Sequence, residues 1–218
     1  MKKLELDNVE LSYGHKDILR AIYFKAEFGK ITGILGSNGS GKTSLLRILF
    51  GELKPKSKLL RIDNHPILKP LYKYGKVKYL PQFHFLPKSL SLKKIFFLYN
   101  VDYAYFSDIF NDFKEKENFK FRELSGGEKR LIEVFLIIKS SSDILLLDEP
   151  FSYLAPIYNE QLKEEILKEK ENKCIIITDH IYKKILEVSD DVYFLKEGVS
   201  KHLESYEDLV RYNYVSSL

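Results

Sequence analysis

Residues 2–28 alternate between apolar and polar side chains and are interrupted at Tyr13-Gly14. A period of two broken by a glycine predicts short antiparallel strands with one buried and one wet face. Beyond this segment the pattern changes. Short apolar-rich runs recur at 31–35, 76–80, 144–147, 174–177 and 192–195, and they predict strands buried on both faces. Helical spacing lies between several of them, at 43–49, 128–139, 158–169 and 181–188. Strands alternating with helices predict a mainly parallel sheet covered on both sides. The segment 83–121 does not fit this alternation: it is aromatic, poor in strand signals, and predicts a small inserted helical subdomain. The expectation is one α/β domain over residues 1–218, with an N-terminal antiparallel β subdomain and that insert at about 83–121.

Composition narrows the class without changing the architecture. An apolar fraction of 44% suffices for a packed core, and 30% charged residues keep the outside wet. The longest apolar runs, such as 144–147 and 174–177, are far too short to cross a bilayer. The sequence turns acidic at Glu5 and Asp7 without an apolar stretch of signal-peptide length, which predicts a cytoplasmic protein unless a partner holds it at a membrane. The net charge of +4 is spread over scattered lysines, so nucleic-acid binding is not expected. The single cysteine, Cys174, lies in an apolar run and reads as a small core residue.

The chemistry concentrates in three places. Gly36-Ser37-Asn38-Gly39-Ser40-Gly41-Lys42-Thr43 fits the spacing G-x-x-x-x-G-K-[ST], between a predicted strand and a predicted helix. Small residues there leave backbone N–H groups turned inward, and with the helix dipole they form an anion cradle. Lys42 is then expected on the β- and γ-phosphates and the Thr43 hydroxyl on Mg²⁺. Downstream, four apolar residues run into Asp148-Glu149. A central strand of this kind delivers Asp148 to the metal shell, and Glu149 to a water attacking the γ-phosphate. A buried strand ending in a solvated acidic turn is the alternative for this stretch alone. Third, Leu124-Ser125-Gly126-Gly127-Glu128 resembles a second anion-binding helix start, although a plain turn and cap fits it equally.

Taken in order along the chain, these motifs resemble the nucleotide-binding subunits of ABC transporters, and the resemblance covers nearly the whole sequence. It implies a P-loop NTPase fold that binds ATP and Mg²⁺. Tyr13 is similar to the aromatic residue that stacks on adenine, and Gln82 to the glutamine that senses Mg²⁺ and the γ-phosphate. The stretch 124–128 resembles the signature loop, with Glu128 in place of the commoner Gln. Asp148 and Glu149 resemble the Walker B pair, and His180 the switch histidine. In this family the signature loop of one subunit (here Ser125, Gly126 and Gly127) completes the ATP site of another. The resemblance therefore implies a homodimer or heterodimer of ATPase subunits that drives a transmembrane permease from the inner face of the cell membrane. The insert would supply the contact through Phe83, Phe85, Leu86, Phe96 and Phe97, if these are exposed rather than an ordinary helical core. A soluble ABC-type ATPase with an assembly, division or regulatory role is the alternative. The motif details are most similar to the lipopolysaccharide-export and branched-chain amino-acid branch. Two departures stand out: Ala155 replaces the usual aspartate of the D-loop, and residues 52–74 lack the usual glycine turn. The lost carboxylate predicts slow or weakly cooperative hydrolysis.

Overall fold

The structure, a computed structural model, describes residues 3–205 and 207–212; Lys2, where the predicted alternation begins, lies outside them. Strands β1 (Lys3–Tyr13) and β2 (Lys16–Glu27) form an antiparallel hairpin, with Leu4, Leu6, Ile22 and Phe24 on the buried face. The chain then enters the central sheet as β3 (Ile31–Leu35) and turns into helix α1 (Lys42–Phe50). It returns to the first sheet as β4 (Ser57–Ile62) and β5 (His65–Pro66), giving the order β2-β1-β4-β5. The β4–β5 turn is Asp63-Asn64, with φ of +49° and +66°. Such two-residue hairpins need left-handed backbone, and Asp and Asn tolerate it, so the absent glycine is replaced rather than missed.

A short 3₁₀ turn, Leu71–Tyr74, leads to β6 (Val77–Leu80), and the insert follows with α2 (Leu92–Tyr99) and α3 (Tyr103–Ile109). The remainder alternates: α4 (Gly126–Ile138), β7 (Ile144–Asp148), α5 (Pro156–Lys170), β8 (Cys174–Thr178), α6 (Tyr182–Val188), β9 (Asp191–Lys196), β10 (Val199–Leu203) and α7 (Glu207–Arg211). The six-stranded sheet has the order β10-β9-β3-β8-β7-β6 and is parallel except for the β10 edge.

Two cores lie on the two faces of this sheet. Leu145, Leu147, Ile175, Ile177, Val192 and Phe194 face the insert, α4 and α5. Their neighbours Ile144, Leu146, Cys174, Ile176, Tyr193 and Leu195 face α1 and the antiparallel sheet. This double burial is why these strands read as unbroken apolar runs.

The expected aromatic groove on the insert is corrected. Phe96 and Leu86 are buried and Phe85 is half-buried, while Phe83 and Phe97 stand 70% and 76% exposed. Helices of eight and seven residues do not hold alone, so the insert uses its aromatics as its own core. Phe106 sits at the centre, with the rings of Phe96, Phe110, Phe113 and Phe135 at 4.9–5.0 Å.

Candidate functional site

Four parallel strands deliver their carboxyl ends to one edge of the sheet. β3 runs into the glycine loop, β6 into Pro81-Gln82, β7 into Asp148-Glu149, and β8 into Asp179-His180. In an open α/β sheet this edge is where ligands bind.

The glycine loop is built for close approach. A Cβ on Gly36 would stand 2.5 Å from Ser40 Oγ and 2.6 Å from Leu195 O. Gly41, the N-cap of α1, has φ of +103°. Lys42 Nζ donates to Gly36 O at 2.7 Å and to Ser37 O at 3.2 Å, which folds the ammonium back over the loop. Burial pushes the Lys42 pKa down, opposed by the charges of Glu149, Asp148 and Asp179. Ser40 Oγ is buried without a protein partner, and the first turn of α1 carries no acid. A cation, a free hydroxyl and an uncompensated helix N-terminus together suit a polyphosphate.

Beside the loop lies a cluster of hard oxygen donors. Gln82 Nε2 donates to Thr43 Oγ1 at 3.0 Å and to Asp148 Oδ1 at 3.4 Å. Asp148 is fully buried and also accepts from Thr178 Oγ1 at 2.7 Å and Tyr79 OH at 3.2 Å. Burial pushes the Asp148 carboxyl up, and the hydrogen bonds from Thr178, Thr43 and Tyr79 oppose that rise. A hydroxyl, a carboxamide and a carboxylate so close together fit Mg²⁺, which takes few protein ligands and completes its shell with water and substrate phosphate.

Glu149 follows in left-handed backbone, φ +50°, a strain of about 1 kcal/mol that such sites tolerate. Its N–H donates to Thr178 O at 2.9 Å, and its Oε2 accepts from Ser152 Oγ at 3.3 Å. His180 Nδ1 stands 3.4 Å from Glu149 Oε2 and 3.4 Å from Asp179 Oδ1. Asp179 is fully buried, which pushes its carboxyl up, and it accepts from Ile181 N at 2.9 Å.

Asp148 and Asp179 are fully buried, and Lys42, Thr43, Gln82, Glu149 and His180 open onto one cavity of about 570 Å³. It is lined by Tyr13, Asn38, Gly39, Ser40, Gly41, Lys42, Thr43, Gln82, Glu149 and His180, together with Tyr153. The structure does not bring Ser125, Gly126 and Gly127 into it. Ser125 and Gly127 line a separate cavity of about 550 Å³ with Lys116, Glu128 and Ala155. There Ser125 caps α4 by accepting from Glu128 N at 3.3 Å, while Glu128 Oε2 accepts from Ser125 N at 2.8 Å. Lys116 pairs with Glu128 at 2.5 Å and neutralises the carboxylate that stands in place of Gln. Tyr153, 87% exposed, lines both cavities.

Tyr79, Thr178, Asp179 and Arg130 also shape the site, and no motif in the sequence marks them. Tyr79 and Thr178 lie inside apolar strands, where a lone hydroxyl was the only signal. Arg130 follows Glu128 and Lys129 in sequence, where one more charge carries no signal of its own.

Fold and loops define the class: a P-loop ATPase of the cassette type, with the glycine loop on one cavity and the Ser125 helix start on another. The profile of the ABC transporter family matches residues 19–152, more than half of the sequence, and the chain belongs to that family. It is an ATP-binding and ATP-hydrolysing subunit of an ABC transporter. It is 31% identical to an uncharacterised ABC transporter ATP-binding protein of Methanocaldococcus jannaschii, over 96% of this chain and 80% of that protein. Among solved structures, the ATP-binding subunit of an ABC transporter aligns with TM-score 0.79 at 20% identity, over 99% of this chain and 95% of that one. A bacterial Atm1-family ABC exporter with ATP bound aligns with TM-score 0.82 at 21% identity, over 97% of this chain and 40% of that one.

Proposed function

We propose that this subunit hydrolyses Mg-ATP held between its own glycine loop and the Ser125 loop of a second ATPase subunit, identical or similar. Closing and reopening of the pair then drives a transmembrane permease docked at the cytoplasmic face of the cell membrane. The observation that supports this reading is the pair of cavities. Lys42, Thr43, Gln82, Glu149 and His180 converge on one, and the Ser125 helix start opens onto the other. A nucleotide bound at the first cavity leaves a phosphate face that a helix N-terminus from elsewhere complements. Among the described residues no helix is long and apolar enough to cross a membrane, and in this reading a separate permease supplies the spans.

Each residue takes one task. Tyr13, at the end of β1, offers its ring to the adenine. Lys42 exchanges its two carbonyl partners for the β- and γ-phosphates, and the ligand charge offsets the cost of burying the ammonium. Thr43, Gln82 and Asp148 would hold Mg²⁺, which neutralises charge on the phosphate oxygens. Glu149 takes a proton from the attacking water, and His180 holds the γ-phosphate and orients Glu149.

Glu149→Gln removes the base and leaves the binding groups intact. Turnover falls roughly 10²–10⁴-fold, and the variant accumulates as an ATP-bound dimer by light scattering after gel filtration. A variant that stays monomeric at saturating Mg-ATP refutes the two-subunit site. The same dimer purified from detergent-solubilised membranes carries a stoichiometric multi-span protein; soluble partners in its place refute the permease.

A further inference from the structure

Helix α4 carries two buried ionisable side chains, Arg130 at the start of its apolar run and Glu133 within it: Arg130 is 3% exposed and Glu133 is 0%. Three residues apart, they share a helix face, and both grip the loop that holds Gln82. Arg130 Nη1 donates to Pro81 O at 2.6 Å, while its Nη2 donates to Asp148 O at 2.6 Å and Glu149 O at 3.0 Å. Glu133 holds the far end of the loop. Its Oε1 accepts from Phe85 N at 2.8 Å and Leu86 N at 3.3 Å, and its Oε2 lies 2.8 Å from His84 Nδ1. Gln82 and Phe83 are the exposed apex of a loop fastened on both sides.

We propose that Arg130 is a positioning residue for hydrolysis, setting Gln82, Asp148 and Glu149 against one another, with Glu133 fixing the other end of the glutamine loop. This inference rests on the hydrolysis reading above. No other group among the described contacts joins the backbone of both loops at once: one planar guanidinium spans the carbonyl before Gln82 and the carbonyls of both acids. A fork with fixed donor directions holds three carbonyls in a defined arrangement, whereas a lysine presents a single rotating ammonium. Ser125 caps the helix that bears this clamp, so Arg130 ties the glutamine loop and the acids to the element that starts at the Ser125 loop.

The test compares Arg130→Gln and Arg130→Lys with the parent. Four quantities are read: ATP affinity in EDTA, kcat and KM for Mg-ATP, and backbone amide exchange by mass spectrometry. In Arg130→Gln, kcat falls roughly 10–100-fold, the effect of an ångström-scale misplacement of reacting groups. ATP affinity in EDTA stays within about twofold, because the glycine loop and Tyr13 are untouched. Exchange rises at 82–84 and 149–152 and is unchanged over 36–43. Arg130→Lys recovers part of kcat. A folded Arg130→Gln with kcat within about twofold of the parent overturns the inference, as does a kcat loss matched by equal loss of ATP affinity and a rise in exchange throughout the chain. Should Arg130→Gln fail to fold, Arg130→Lys is judged by the same criteria. A parent without ATPase activity refutes the hydrolysis reading instead, and exchange at 82–84 and 149–152 then decides whether Arg130 positions the loops.

Discussion

Replacing Ala155 separates a local stability effect from a catalytic one. Ala155 is the N-cap of α5, with φ −63° and ψ 145°, and it offers no side-chain acceptor to the helix start. Pro156 has no N–H, and the N–H of Ile157, second in the helix, has no acceptor within the helix. An aspartate at 155 reaches that N–H or the next one, which contributes about 1 kcal/mol. The first turn of α5 contains no acid, so the dipole adds about 0.3–1 kcal/mol. Against this, Asp112 and Glu128 line the same cavity and repel the new charge, with Lys116 screening part of the repulsion. The net expectation is about 1 kcal/mol of stabilisation, a rise in Tm of roughly 2–4 °C for a chain of this size. Thermal unfolding without nucleotide measures it. Ala155→Asn is the control, since it caps equally and carries no charge. Both variants gain stability, but Ala155→Asp alone raises ATP turnover or its Hill coefficient. If neither variant is more stable than the parent, the capping reasoning is wrong. If Ala155→Asp is stabilised while its rate and Hill coefficient stay unchanged, the missing carboxylate does not limit hydrolysis.

Two further outcomes follow from packing. Gly33→Ala forces a Cβ into Ile185 Cγ2 and to 2.5 Å from Ser189 Oγ, so α6 must lift from the sheet. Overpacking of this kind costs about 1–3 kcal/mol. Because α6 begins just beyond His180, turnover falls with the urea midpoint, and an unmoved midpoint contradicts the contact. Cys174 is fully buried, and burial pushes its thiol up to about 12. It stays inert to an aqueous thiol reagent near about pH 8 and reacts at the same denaturant midpoint as global unfolding. Rapid labelling of the native protein refutes that placement.

The parallel strands and the glycine loop were legible because their physics is local. A strand buried on both faces must be apolar throughout, as at Ile144–Asp148 up to its terminal acid, and a phosphate loop needs small residues beside a lysine. Ends were less legible: α5 begins at Pro156, two residues ahead of the apolar pattern, because proline suits a first turn and leaves no periodic signal. The edge strand β10 and helix α7 carry too few apolar residues to register. Exposure within the insert was illegible as well. Phe96 and Phe97 are adjacent aromatics, and only three-dimensional packing decides that one is core and the other surface. The supporting contacts of Tyr79, Thr178 and Arg130 depend on which strands become neighbours, a long-range fact that single-residue chemistry does not carry.

The alternation of β7 and β8 between two cores limits how this chain can change over descent. Successive residues of each strand belong to different hydrophobic clusters. One inserted or deleted residue would therefore exchange the partners of a whole strand and shift Asp148, Glu149 and His180 out of register. The insert between β6 and α4 and the tight hairpins of the antiparallel sheet carry no such double duty, so a change of length there would leave both cores in register. The exposed surface around Phe97 would accept a change of length that the strands around Asp148 would not.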